Sequence, residues 1–152
     1  KCGNGKTCIF NTKGNPNSHL ILRGGRRGPN YYEESIEEAE RIMSAADLNS
    51  AVIIDCSHAN SQKDPSCQPA VARDVAAQIV AGNRSIVGLM LESNLEAGSQ
   101  SISTDASNLR YGVSVTDGCI SWASTEALIE ELAETLRRSV KERRCASTDR
   151  AP

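Results

Sequence analysis

Two short apolar runs constrain this chain most. Ala51–Asp55 (A-V-I-I-D) and Ser85–Leu91 (S-I-V-G-L-M-L) carry almost no polar side chains and do not alternate. Each is too short for a helix, and a strand apolar on both sides must be covered on both faces, as in a parallel sheet. Helical patterns flank them. Glu33–Ala46 places Ile36, Ala39, Ile42, Met43 and Ala46 at helical spacing, with acids in the first turn where the macrodipole favours them. Pro69 suits the first residue of a second helix, Val71, Val75 and Ile79 form its stripe, and Gly82 is a natural stop. A last helix, with Ser124 as its cap, carries Leu128, Leu132, Leu136 and Val140 inside, and its acidic start and basic end match its dipole. The tail Cys145–Pro152 is expected to be disordered.

Upstream, Thr7–Asn11 and His19–Arg23 flank the turn formers K-G-N-P-N and predict a β-hairpin. The whole therefore reads as about three βα units: an α/β fold, either a small open sheet or part of a closed barrel. A complete (β/α)8 barrel needs about 250 residues, more than the 152 here.

Composition narrows the function classes. With 17 basic and 19 acidic residues the net charge is -2, so no basic field grips nucleic acid or an anionic membrane. One Trp, one Phe and three Tyr leave little for base stacking. No stretch approaches the about 20 apolar residues of a membrane helix. The six cysteines form no C-x-x-C pair, and Cys56 and Cys119 lie in apolar runs, which favours a reducing, cytoplasmic setting. The first residue is Lys1, and no signal-peptide pattern follows, so the chain is expected to be part of something longer.

Reactive side chains collect where the strands end. The first run leads into Arg23 before Gly24-Gly25, the second through Asp55 to His58, and the third into Glu92. In α/β folds the carboxyl edge of the sheet is where ligands bind. His58 is as readily an ordinary loop histidine as a functional one. Asp117, in Y-G-V-S-V-T-D-G-C, reads from spacing alone as a turn residue. One imidazole and two carboxylates would suit Mn, Fe, Co or Zn. The guanidinium of Arg23 is a planar fork for phosphate or carboxylate. Arg26 and Arg27 read as solvated charges.

Several longer segments carry a resemblance. They are N-T-K-G-N with H-L-I-L-R-G-G and P-N-Y (Asn11–Tyr31), I-D-C-S-H-A-N-S (Ile54–Ser61), Gln68–Gly82, G-L-M-L-E-S-N-L-E-A-G-S-Q (Gly88–Gln100) and Y-G-V-S-V-T-D-G-C-I-S-W (Tyr111–Trp122). Together they resemble class I 3-deoxy-D-arabino-heptulosonate 7-phosphate (DAHP) synthases. The resemblance implies the C-terminal portion of a TIM barrel over residues 1–144, with the hairpin as a decoration of the sixth strand. It implies condensation of phosphoenolpyruvate with erythrose 4-phosphate, a divalent metal, and a homo-oligomeric full-length parent. By resemblance, His58, Glu92 and Asp117 are metal ligands and Arg23 contacts the phosphoenolpyruvate phosphate.

The sequence departs from the family where a fourth, cysteine ligand, a Lys-Pro-Arg-Thr segment and further basic substrate contacts are expected; none of these appears in it. Cys56 stands where an aromatic residue is common, and Gly118 and Ser121 are smaller departures. The expectation is a synthase fragment inactive by itself. The competing reading is a non-catalytic α/β module that binds an anion or a partner through Arg23.

Overall fold

A computed structural model describes residues 9, 11–15, 17–102 and 105–148. Three parallel strands form its centre: β1 (Leu20–Leu22), β2 (Val52–Asp55) and β3 (Ile86–Met90), in that spatial order. Helix α1 (Glu33–Ala45) joins β1 to β2, and α2 (Gln68–Ala81) joins β2 to β3. Beyond β3 the chain bends into β4 (Ser93–Asn94), which pairs in parallel with β5 (Ile120–Ser121), and α3 (Trp122–Thr148) follows. Two further short helical turns lie at Pro65–Cys67 and Ala106–Asn108. Every strand pair is thus parallel, as the βα alternation predicts. No helix among the described residues is long and apolar enough to cross a membrane.

Register decides which side chains share a face. Leu22 pairs with Ile54, and Ile54 with Leu89. On that face Val52, Ile54 and Ile86 are buried with Ile36 and Met43 of α1, Val71, Val75 and Ile79 of α2, and Leu128 and Leu132 of α3. All three helices therefore bury their stripes on one side of the sheet. The opposite face carries Ile21, Ile53 and Gly88 in register. There Ile21 remains 54% exposed. A Cβ at Gly88 would lie 3.4 Å from Ile53 Cγ1, so the missing side chain lets Ile53 lie across the neighbouring strand.

Several boundaries differ from expectation. Thr7, Cys8 and Phe10 of the expected hairpin's upstream strand lie outside the described residues; among the described residues β1 pairs with β2. Ile42 of α1 and Val140 of α3 are exposed, at the margins of their helices' apolar stripes. Helix α3 begins at Trp122, and its cap is Ser121, whose Oγ accepts from the Ser124 N–H at 3.2 Å. Ser124 itself sits inside the first turn, where it meets the capping hydroxyl at 2.9 Å. The helix runs through Thr148, past the expected start of a disordered tail at Cys145, and the sequence has no Gly or Pro to stop it before that point. By contrast Gly82 ends α2 as expected, at φ 119°.

Cys56 shows what the covered face does to a polarisable group. It has no solvent exposure, and burial, with the charge of Asp55 as a lesser cause, pushes its thiol up to about 12. Cys67 is exposed. Iodoacetamide at pH 8 should therefore label Cys67 and spare Cys56 until denaturant is added, read by peptide mass mapping. Between the ordinary value of 9.0 and about 12 the unfolded thiol loses its proton and the native one keeps it. Stability should therefore fall as pH rises above about 9. Cys56→Ala should flatten that slope in urea titrations.

Candidate metal centre

Alternation along the strands carries the uncovered face to the site. Two residues past Ile21 comes Arg23, two past Ile53 comes Asp55, and two past Met90 comes Glu92. Period 2 thus lines three charged side chains along one carboxyl edge. The loop after β2 adds His58, and the loop before β5 adds Asp117.

His58, Glu92 and Asp117 each offer one ligand atom, and these atoms all lie within 4.8 Å of one another. His58 Nε2 is 3.6 Å from Glu92 Oε1 and 3.9 Å from Asp117 Oδ2. Nothing bonds them directly at those distances; they are spaced as donors around a common centre. Arg23 lines the same cleft, of about 140 Å³, with Ser57, Lys63 and Gly118. All four residues singled out in the sequence therefore meet. Asp117 differs in one respect: it lies on a loop entering β5, not at a strand's carboxyl end, and its side chain is 72% exposed.

The surrounding contacts fix the ligand atoms in orientation. Asp55, buried at the end of β2, meets His58 Nδ1 at 2.7 Å and accepts from the Ser57 N–H at 2.8 Å. With Nδ1 donating to that carboxylate, Nε2 is left with its lone pair toward Glu92 and Asp117. This is the carboxylate–histidine arrangement that orients metal-bound imidazoles. Glu92 is held three ways. Ser57 Oγ donates to its Oε2 at 2.7 Å, leaving Oε1 free to face His58. The fully buried amide of Gln68 takes its backbone at both ends: Nε2 donates to Glu92 O at 3.1 Å, and Oε1 accepts from Glu92 N–H at 2.8 Å.

The loop bearing His58 is tied to β1 as well. Asn60 Nδ2 donates to Leu22 O at 3.1 Å and Asp55 O at 2.8 Å, and the Ala59 N–H donates to Arg23 O at 3.2 Å. That close approach requires Gly24. At φ 75° it is in the left-handed region, and a Cβ would come within 2.7 Å of Ala59 Cβ. Gly118 plays a smaller part beside Asp117, where a Cβ would sit 3.1 Å from Pro65 Cγ.

Sequence reasoning overlooked the roles of Ser57 and Gln68, and the histidine-orienting role of Asp55. The i to i+3 spacing of Asp55 and His58 was the available signal. Gln68 had none, because its bonds to Glu92 arise only when α2 docks. The donor set fits a divalent cation: one imidazole, two carboxylates and a carboxylate behind the imidazole. Asp55→Asn keeps the shape but removes the charge that holds the His58 Nδ1 proton. It should weaken Mn(II) binding by about 10- to 100-fold in calorimetric titration, with little change in the far-ultraviolet circular dichroism.

Comparison with known proteins places the chain in a family. Residues 2–130 match the DAHP synthetase I family. The Tyr-sensitive phospho-2-dehydro-3-deoxyheptonate aldolase of Escherichia coli is 50% identical over 132 residues, covering 87% of this chain and 37% of that protein. Its counterpart in Enterobacter agglomerans is 51% identical, with 88% of this chain and 62% of that protein covered. The solved structure of phospho-2-dehydro-3-deoxyheptonate aldolase from Francisella tularensis is 46% identical and superposes with a TM-score of 0.78, covering 88% of this chain and 38% of that one. The chain thus spans less than two thirds of the length of these relatives. With residues 2–130 of its 152 matched, the chain belongs to the DAHP synthetase I family.

Proposed function

We propose that this chain supplies the metal-binding side of a DAHP synthase active site, as the C-terminal portion of a (β/α)8 barrel. The observation that carries the reading is one cleft holding three convergent ligand atoms and a guanidinium. The reaction is condensation of phosphoenolpyruvate with erythrose 4-phosphate, releasing phosphate, and the names of the relatives support it. The strand order supports a barrel sector: β1, β2 and β3 lie side by side in chain order, and β5 pairs with the segment that continues β3. Free thiols at Cys56, Cys67 and Cys119 support the cytoplasm as its setting, and the full-length parent is taken to be a homo-oligomer.

His58, Glu92 and Asp117 would hold the cation, one of Mn, Fe, Co or Zn. Such a cation, when bound, supplies Lewis acidity for polarising an aldehyde oxygen. The chain's own groups do the rest of the work assigned here. Arg23 grips a phosphate bidentately and so fixes the substrate against the edge of the sheet. Asp55 keeps the His58 Nδ1 proton in place. Ser57 and Gln68 hold Glu92 so that one carboxylate oxygen faces the cleft. Preorganisation of this kind spares the site from reorganising as charge develops.

Two measurements test the reading. His58→Ala should weaken Mn(II) binding at least 10-fold in calorimetric titration; unchanged affinity would favour a non-catalytic anion- or partner-binding module instead. The 152-residue chain, given Mn(II) and both substrates, should release phosphate at background rate, since the Lys-Pro-Arg-Thr segment and the cysteine ligand of the family do not occur in it. Turnover near that of a full-length relative would show that this chain already holds every group the reaction needs.

A further inference from the structure

The cleft contains a second cation to which the reading above gives no role. Lys63 lines it beside Arg23, His58 and Glu92. Its backbone is in the left-handed region at φ 64°, as are Gln62 at 55° and His58 at 49°. A side chain with a Cβ is disfavoured there, and glycine is not. Three such residues within six positions mark a loop held against its local preference, and non-glycine residues in such conformations cluster at functional sites.

What holds the loop is visible. The Lys63 N–H donates to the His58 carbonyl at 2.8 Å, and the Gln62 N–H to the Ala59 carbonyl at 3.2 Å. Lys63 is therefore tied to the ligand histidine through the backbone. The neighbouring acid is engaged elsewhere: the Asp64 carboxylate accepts from the Ser66 N–H at 2.9 Å and from Ser66 Oγ at 2.7 Å. Lys63 takes part in no ion pair among the described residues.

The lining of the cleft then points to a ligand. Glu92 and Asp117 together offset a divalent cation, and Asp55 lies buried behind His58. Among the described residues, Arg23 and Lys63 are the Arg and Lys side chains that line the cleft. We propose that Lys63 is a second anion anchor, which binds the other acidic group of a small doubly anionic substrate that Arg23 holds by its phosphate. The substrate class is a phosphorylated carboxylic acid, and the lysine supplies an ammonium group for its carboxylate. An ammonium suits this role as a compact charge on a flexible stem, able to follow the substrate where the Arg23 fork is fixed. This rests on the DAHP synthase reading, and it adds a residue which that reading does not require.

The test uses phosphoenolpyruvate as probe and the Mn(II)-loaded chain, with calorimetric affinity and thermal melting as readouts. Lys63→Gly removes the ammonium and relaxes the backbone together. It should bind phosphoenolpyruvate at least about 10-fold more weakly, bind Mn(II) within 2-fold of the parent, and melt at a higher temperature. Lys63→Met keeps the length without the charge, so it reads the ammonium alone even if the glycine variant folds poorly; it should lose as much affinity. If both variants bind phosphoenolpyruvate as the parent does while Arg23→Ala does not, Lys63 is no anchor and the synthase reading stands. If the parent itself binds no phosphoenolpyruvate, both ideas fall together.

Discussion

Parallel pairing of β1, β2 and β3 is the constraint from which the rest of the molecule follows. In register, Leu22, Ile54 and Leu89 face the helices, so Arg23, Asp55 and Glu92 cannot. A slip of one residue would exchange the two sets. Apolar side chains would then stand at the cleft, and charged ones would be driven under α1 and α2. The energy that prevents this is spread over the covered face, where Val52, Ile54, Ile86 and their helical partners leave the solvent. Core packing and site geometry are thus one requirement seen from two sides of a sheet.

A second layer of order sits above the register. Asp55 steers His58, Ser57 steers Glu92, and Gly24 permits the loop between them to lie close against β1. Each of these interactions acts on a side chain or loop that the strands have already brought near. Strands give the coarse position, and short polar contacts set the final orientation.

How much of this could be read beforehand depends on the range of the interaction. The two apolar runs and the helical stripes are local patterns, and they led to the parallel sheet and to the stops at Gly82 and near Ala45. Arg23, His58 and Glu92 were visible as strand-end residues. Asp117 was not: spacing alone marks it as a turn residue, and only the resemblance to DAHP synthases singled it out, since its approach depends on a loop folding back to β4 through the Ile120 pairing. The cap of α3 was misplaced by three residues because Ser121 and Ser124 are equivalent in type, and only the backbone geometry separates them. Gln68 lay beyond reach altogether. No periodicity announces a buried amide whose partner is 24 positions away.

That amide has a further consequence. Gln68 presents one donor and one acceptor to the N–H and C=O of Glu92, as an adjacent strand would. A glutamate carboxylate has no hydrogen to give the carbonyl, and a methionine can serve neither group. The same amide that seats α2 against the end of β3 therefore also fixes the backbone from which a ligand carboxylate projects, so loosening that helix would slacken the cleft.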